Sequence, residues 1–333
     1  MSLLTSRSKR PEPETPLMAL SRAKLRAAAE PLAPALAARR LGPYSGYLGM
    51  LERIEHLVTS SGYRLLDIGR SVQGEPIFAL HAGPEPRGSL LRSSVILSGV
   101  HPIEWIGVET HLALLDRIAG KLAADRSIVS IPIVNPDGVR RVDGNLRAGK
   151  RQFVRHNARG VDLNRNFDHS WGKLGWVQRA LGRVFRAGVG PASEPEVESV
   201  AHHLGDCRVD RALSLHSFGG AVLYPRASSR RPIPDAREHR IWARRIARAI
   251  DPAHPYVASS CANWAWGLTA GGLELDWFHA RHGALSLLVE CSRKNRRLGQ
   301  ALDPFAWFNP ESLATETNAL ARALEPYVLG LPS

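Results

Sequence analysis

The sequence predicts an α/β domain, a sheet with helices packed on its faces, from two observations. From about residue 45 onward, short apolar runs alternate with stretches of helical period. Residues able to do chemistry also recur at the carboxyl ends of the apolar runs, where open α/β sheets place their ligands.

Composition sets the outer limits. The chain has 333 residues, 44% hydrophobic and 23% charged, which suits a globular protein able to bury one large core. Residues 1–42, rich in Arg, Ala and Pro, read as an N-terminal extension ahead of a single catalytic domain at 43–333. The extension has no apolar core long enough for a secretory signal, and no run of about 18 apolar residues occurs anywhere, so neither the usual export route nor a membrane span is expected. The three cysteines, Cys207, Cys261 and Cys291, are odd in number and lack CxxC spacing. They argue against a disulfide framework and a cysteine-based zinc site, and a reducing cytoplasm is the expected location. A formal charge of +13 invites a phosphate-bearing partner, but the basic residues are spread along the whole chain and no helix-turn-helix, zinc-finger or RNP signature accompanies them. No nucleic-acid partner is expected.

Five runs read as strands: "EPIFALHAG", "SSVILSGV", "SIVSIPIVN", "RALSLHS" and "GALSLLVE". Four stretches carry helical period: "WIGVETHLALLDRIAGKL", "SEPEVESVAHHLGD", "REHRIWARRIARAI" and "PESLATETNALARALEPYVL". The segment "NPDGVRRVDGNLRAGKRQFVRHNARGVDLNRNFDHSWG" is rich in Gly, Asn, Asp and Arg with little period, and reads as a long loop dense in binding groups. The chain has no internal repeat, no P-loop and no GxGxxG, and "LSLHSFGG" is not a nucleophile elbow.

The chemistry lies at the strand ends. His101 and Glu104 follow "SSVILSGV", Asn135 and Asp137 follow "SIVSIPIV", and His216 and Glu290 close "RALSL" and "GALSLLV". Each alone has a plain reading: a surface or satisfied histidine, a carboxylate complementing a helix N-terminus, a salt bridge. Together they make a frequent catalytic zinc set, two His and one Glu with a fourth position open to water, plus a second glutamate as a candidate base. Two imidazoles and one carboxylate fit zinc better than cobalt or manganese. The loop adds Arg155, Asp162, Asn164 and Arg165.

At these residues the sequence resembles the M14 zinc carboxypeptidases. The resemblance rests, in family order, on "HPIE", "NPDG", "VRHNARGVDLNRNF", "SEPE", "LHSFGGAVLYP" and "LLVE", with "DIGRSVQGEPIFALHAG" similar to the family's strand-turn-strand entry. It implies a single domain with a mixed, mostly parallel twisted sheet flanked by helices on both faces. It further implies one Zn2+ per chain held by His101, Glu104 and His216, with Asp162 orienting His101 through its other ring nitrogen. Arg155 would stabilise the oxyanion, Asn164 and Arg165 would dock a terminal carboxylate, and Glu290 would be the base.

Two features depart from the digestive members. The mobile tyrosine is missing, its position falling at Gly267 or Leu268, with Trp264 or Trp266 as possible covers for the site, and Phe218 stands where a tyrosine often follows "HS". In "TAGGLELDWFH", two readings of Glu274 and Asp276 stand side by side: if either faces the substrate, the leaving residue is lysine, arginine or diaminopimelate; if both are solvated, the pocket is apolar and selects Leu or Phe. The leading function is a metallocarboxypeptidase acting on a peptide or murein-type peptide with a free carboxylate. The alternatives are an amidohydrolase of small acyl-amino acids and a non-catalytic basic binding protein.

Overall fold

A computed structural model of the chain describes residues 23–27, 41–86, 91–265, 268–293 and 303–332. Its frame is one eight-stranded sheet in the order β1-β2-β4-β3-β5-β8-β6-β7. The strands are β1 (Arg64–Arg70), β2 (Pro76–Ala82), β3 (Arg92–Ser98), β4 (Arg126–Ile131), β5 (Val209–His216), β6 (Ala221–Tyr224), β7 (Val257–Ser260) and β8 (Leu285–Glu290). The centre, β4-β3-β5-β8, is parallel. Its strands are buried almost end to end, which is why they read as continuous apolar runs. The margins mix directions: β1, β2 and β4 pair antiparallel, and β6 runs antiparallel to β8 but parallel to β7.

Helices cover both faces, as expected. On one, α1 (Gly46–Ser60), α2 (Trp105–Ile118), α6 (Ala236–Ile250) and α10 (Leu313–Val328) pack Leu57, Leu112, Trp242 and Tyr327 into a core with Ile96 and Leu213 of the sheet. On the other, α5 (Pro195–Leu204) and α8 (Glu274–His282) bring Val197, Val200, Trp277 and Phe278 against Val95, Leu97 and Val129. Short helices α4 (Trp176–Ala180), α7 (Cys261–Trp264) and α9 (Pro304–Phe308) lie in the connections. No helix among the described residues is long and apolar enough to cross a membrane. Most of the N-terminal extension lies outside the described residues, though Leu25 is buried in the first core.

One expectation fails in part. The first third of the long "loop" is helix α3 (Pro136–Arg147). Asn135, Pro136, Asp137 and Gly138 form a helix start: the Asn135 side chain accepts from the Gly138 N–H at 3.0 Å, with proline at the first helical position. Asp137 accepts from Ser71 Oγ at 2.6 Å and Gln73 N–H at 2.9 Å, fastening the β1–β2 turn. Neither Asn135 nor Asp137 reaches the site their strand-end positions suggested.

Two glycines set the geometry at the sheet's carboxyl edge. Gly99, φ +63°, lets the chain turn sharply out of β3 toward His101, where a Cβ would meet Ile133 Cα and Pro132 O at 3.1 Å. Gly107 lets α2 press onto β5, since a Cβ there would come within 2.7 Å of Leu215 O. The helix that begins just after Glu104 is thereby seated beside the end of the strand that carries His216.

Candidate metal centre

His101, Glu104 and His216 converge at the carboxyl edge, all buried, with ligand atoms within 4.8 Å of one another. Glu104 Oε1 lies 2.9 Å from His101 Nδ1, Glu104 Oε2 lies 2.9 Å from His216 Nδ1, and the two Nδ1 atoms are 3.1 Å apart. The far side of each ring is already engaged. His101 Nε2–H donates to Asp162 Oδ1 at 3.0 Å, and His216 Nε2–H donates to Glu274 Oε1 at 2.6 Å. With protons on both Nε2 atoms, two Nδ1 lone pairs and a carboxylate face one point in a dry site. Such an arrangement repels itself unless a proton or a metal cation lies between, and the donors are those of a three-ligand catalytic zinc site.

The arginine loop closes over this point. Asp162 caps a short 3-10 turn, Leu163–Arg165, and its second oxygen accepts from Arg155 Nε at 2.9 Å. Burial alone would push the Asp162 carboxyl up, but Arg155, Arg165 and His101 hold it well below the usual range. The "SEPE" motif anchors the loop from behind: Asn157 Nδ2 donates to Glu194 at 2.8 Å and Glu196 at 3.1 Å, while its Oδ1 accepts from the N–H groups of Arg159 and Val161. Asn164 and Arg165 are buried and line the same cleft as the metal ligands. Asn164 Oδ1 accepts the Glu274 N–H at 3.2 Å, which leaves its NH2 for a ligand. The Arg165 Nε is buried without a partner, the condition of a guanidinium built to receive an anion.

Glu290 pairs with His216 across β5 and β8, so sheet register sets the candidate base beside a candidate ligand. Its Oε2 has no hydrogen-bond partner, and burial followed by the Glu104 charge raises its pKa, as a general base requires. The cleft is about 260 Å3, and Leu223, Ala227, Ala270, Leu273 and Leu288 supply apolar lining. Phe218 and Phe308, ring centroids 4.9 Å apart, also line it, as do Trp264 and Leu268. Trp266 and Gly267 lie outside the described residues.

The acidic pocket is overturned. Glu274 is fully buried, taking His216 and, at 2.8 Å, Ser214 Oγ on one oxygen. Asp276 is buried and accepts from Ala227 N–H, Ser228 N–H and Ser228 Oγ. Both carboxylates stand in the first turn of α8 and neither lines the cleft; Asp276 is taken up by the protein, whereas Glu274 is engaged through Oε1 alone and its Oε2 is buried without a partner. Sequence reasoning missed the outcome for Glu274: each candidate metal histidine carries its own carboxylate, Asp162 on one and Glu274 on the other. Glu274→Gln is therefore expected to weaken metal binding by about 10–100-fold, read by chelator competition; unchanged affinity would show that the contact is only structural.

A second cluster, Asp235, His239 and His279, does not make a matching site. His239 Nε2 accepts from the Ser286 N–H at 3.0 Å, so Nδ1, which faces Asp235 O at 3.2 Å, carries the proton and has no lone pair for a metal.

The family model for zinc carboxypeptidases matches residues 50–317. Among curated proteins the chain is similar to Carboxypeptidase A6 of Mus musculus, 29% identical over 205 residues, covering 57% of this chain and 46% of that protein. It is also similar to the Inactive metallocarboxypeptidase ECM14 of Uncinocarpus reesii, 26% identical over 259 residues, covering 66% and 44%. The chain thus spans about half the length of the curated relatives it matches. Among solved structures, Carboxypeptidase A from Helicoverpa armigera shares the fold with a TM-score of 0.62 at 20% identity, covering 91% of this chain and 81% of that one.

Proposed function

Because this chain belongs to the zinc carboxypeptidase family, we propose that it is a zinc-dependent metallocarboxypeptidase, releasing the C-terminal residue of a peptide or murein-type peptide that bears a free carboxylate. A similarity that extends to an inactive protein cannot carry activity by itself. The observation that carries it is a buried Arg165 guanidinium whose Nε has no partner, in the same cleft as three convergent metal donors and a Glu290 whose Oε2 has none.

His101, Glu104 and His216 would hold the zinc, which supplies Lewis acidity and lowers the pKa of a water. Arg165 and the Asn164 NH2 grip the terminal carboxylate, the guanidinium through paired N–H donors. This fixes the scissile carbonyl beside Arg155, whose fixed charge meets the oxyanion as it develops. Glu290 takes the proton from the attacking water and returns it to the leaving amine, so one residue serves as base and then acid. Asp162 holds both His101 and Arg155, coupling the metal to the oxyanion group.

With Glu274 and Asp276 turned inward, the lining favours an apolar leaving residue. In a series of peptides ending in Leu, Phe, Lys, diaminopimelate and Glu, the free acids ending in Leu and Phe are expected to be cleaved fastest. C-terminal amides should be slower by about 10²-fold or more, since they leave a buried guanidinium unpaired. Amides cleaved as fast as acids would remove the carboxylate dock, a preference for Lys would restore an acidic pocket, and small acyl-amino acids cleaved best would favour an amidohydrolase.

A further inference from the structure

Arg155 and Arg165 put two cations into one desolvated site. Arg155 is matched by Asp162. Arg165 forms no ion pair with a carboxylate among the described residues; its Nη1 donates to Asn164 O, and burial followed by the opposing contributions of Asp162 and Arg155 leaves its pKa lowered. Two like charges need a holder that compensates both without adding a third charge to the anion site.

Phe185 occupies that place. Its ring centroid lies 5.2 Å from the Arg165 guanidinium carbon and 5.6 Å from that of Arg155, both inside the range where the negative face of an aromatic ring attracts a cation. The backbone around it is tied to the arginine loop at three points. His156 Nε2–H donates to Val184 O at 2.8 Å, the Asp162 N–H donates to Arg186 O at 2.8 Å, and Asn166 Nδ2 donates to Ala187 O at 2.7 Å. These anchors are the neighbour of Arg155, the carboxylate that orients it, and the neighbour of Arg165. The half-buried ring is thus set by the loop whose guanidiniums it touches.

We propose that Phe185 is a positioning residue whose aromatic face holds Arg155 and Arg165 side by side, so that the carboxylate dock and the oxyanion group keep a fixed spacing. The inference deepens the carboxypeptidase reading and rests on it for its functional consequence.

The test uses zinc-loaded protein in a Glu290→Gln background, where ligand is not consumed. The probes are an N-acylated dipeptide ending in leucine and its C-terminal amide, with binding measured by calorimetry. Phe185→Leu and Phe185→Met, which keep apolar bulk but lose the π face, are expected to weaken the free acid by about tenfold and leave the amide unchanged. Phe185→Tyr should stay within about twofold of the parent. Independently of any ligand, phenylglyoxal modification of Arg155 and Arg165, mapped by mass spectrometry, should accelerate several-fold in the Leu and Met variants and not in the Tyr variant. Unchanged acid affinity with unchanged modification rates would overturn the proposal, and so would a Tyr variant as impaired as Leu. A parent that binds acid and amide equally would instead remove the carboxylate dock, while the modification rates would still decide whether Phe185 holds the arginines.

Discussion

Glu290→Gln is expected to lower turnover by about 10²–10⁴-fold, or further where activation of the water is lost with the base, while metal content and thermal midpoint stay at parent values. The amide has nearly the carboxylate's shape, so the packing at the end of β8 and its pairing with His216 are retained. It cannot accept the water's proton, and no other described carboxylate in the cleft is available to replace it: Glu104 is taken up by both histidines, and Asp162 and Glu274 are bound behind the rings. Affinity for a free-acid peptide should be preserved, because Arg165 and Asn164 are untouched. The signature is a fall in kcat with an almost unchanged dissociation constant. Glu290→Asp should fall between the two, keeping the acid but shortening its reach by one methylene. Turnover of the Gln variant within about tenfold of the parent would sink the assignment, since losing a general base costs at least about 10²-fold.

The convergence of the candidate site was largely legible in the sequence because its strands are. β3, β5 and β8 are buried on both faces, so each reads as a continuous apolar run with an abrupt polar end, and His101, His216 and Glu290 stand at or just past those ends. What escaped followed from weaker local signals. α3 reads as loop in the sequence because Pro136, Asp137 and Gly138 are turn residues as much as helix starters, and the helix buries few apolar side chains, Val139 and Val142 among them. β6 and β7, four residues each, are too short for alternation to declare itself. Glu274 and Asp276 could not be oriented from sequence: two carboxylates in a helix's first turn look alike whether they face a ligand, cap backbone N–H groups or bind a histidine 58 positions away. Phe185 sits in an aperiodic, Arg-rich stretch, where only the folded loop shows what its ring touches.

The other large effect concerns the metal. Elemental analysis of the parent should find about one zinc per chain, as three ligands with one open position require, and His101→Ala/His216→Ala together should remove it. Binding to the folded state alone stabilises by mass action, about 4 kcal/mol at a thousand times the dissociation constant, so a chelator should lower the parent's thermal midpoint by several degrees and leave the double variant's unchanged. The double change has a second consequence, since both carboxylates lose an imidazole and stay buried: Asp162 keeps Arg155, but Glu274 keeps only Ser214 Oγ, and a buried carboxylate stripped of its charged partner costs several kcal/mol. A lowered midpoint in that variant therefore has two sources. Glu104→Gln separates them, because it leaves both carboxylate–histidine pairs intact and removes only the negative ligand between the rings. It should bind metal far more weakly, with a midpoint insensitive to chelator and close to that of the metal-free parent. Full zinc occupancy in either variant would mean that the ion binds elsewhere.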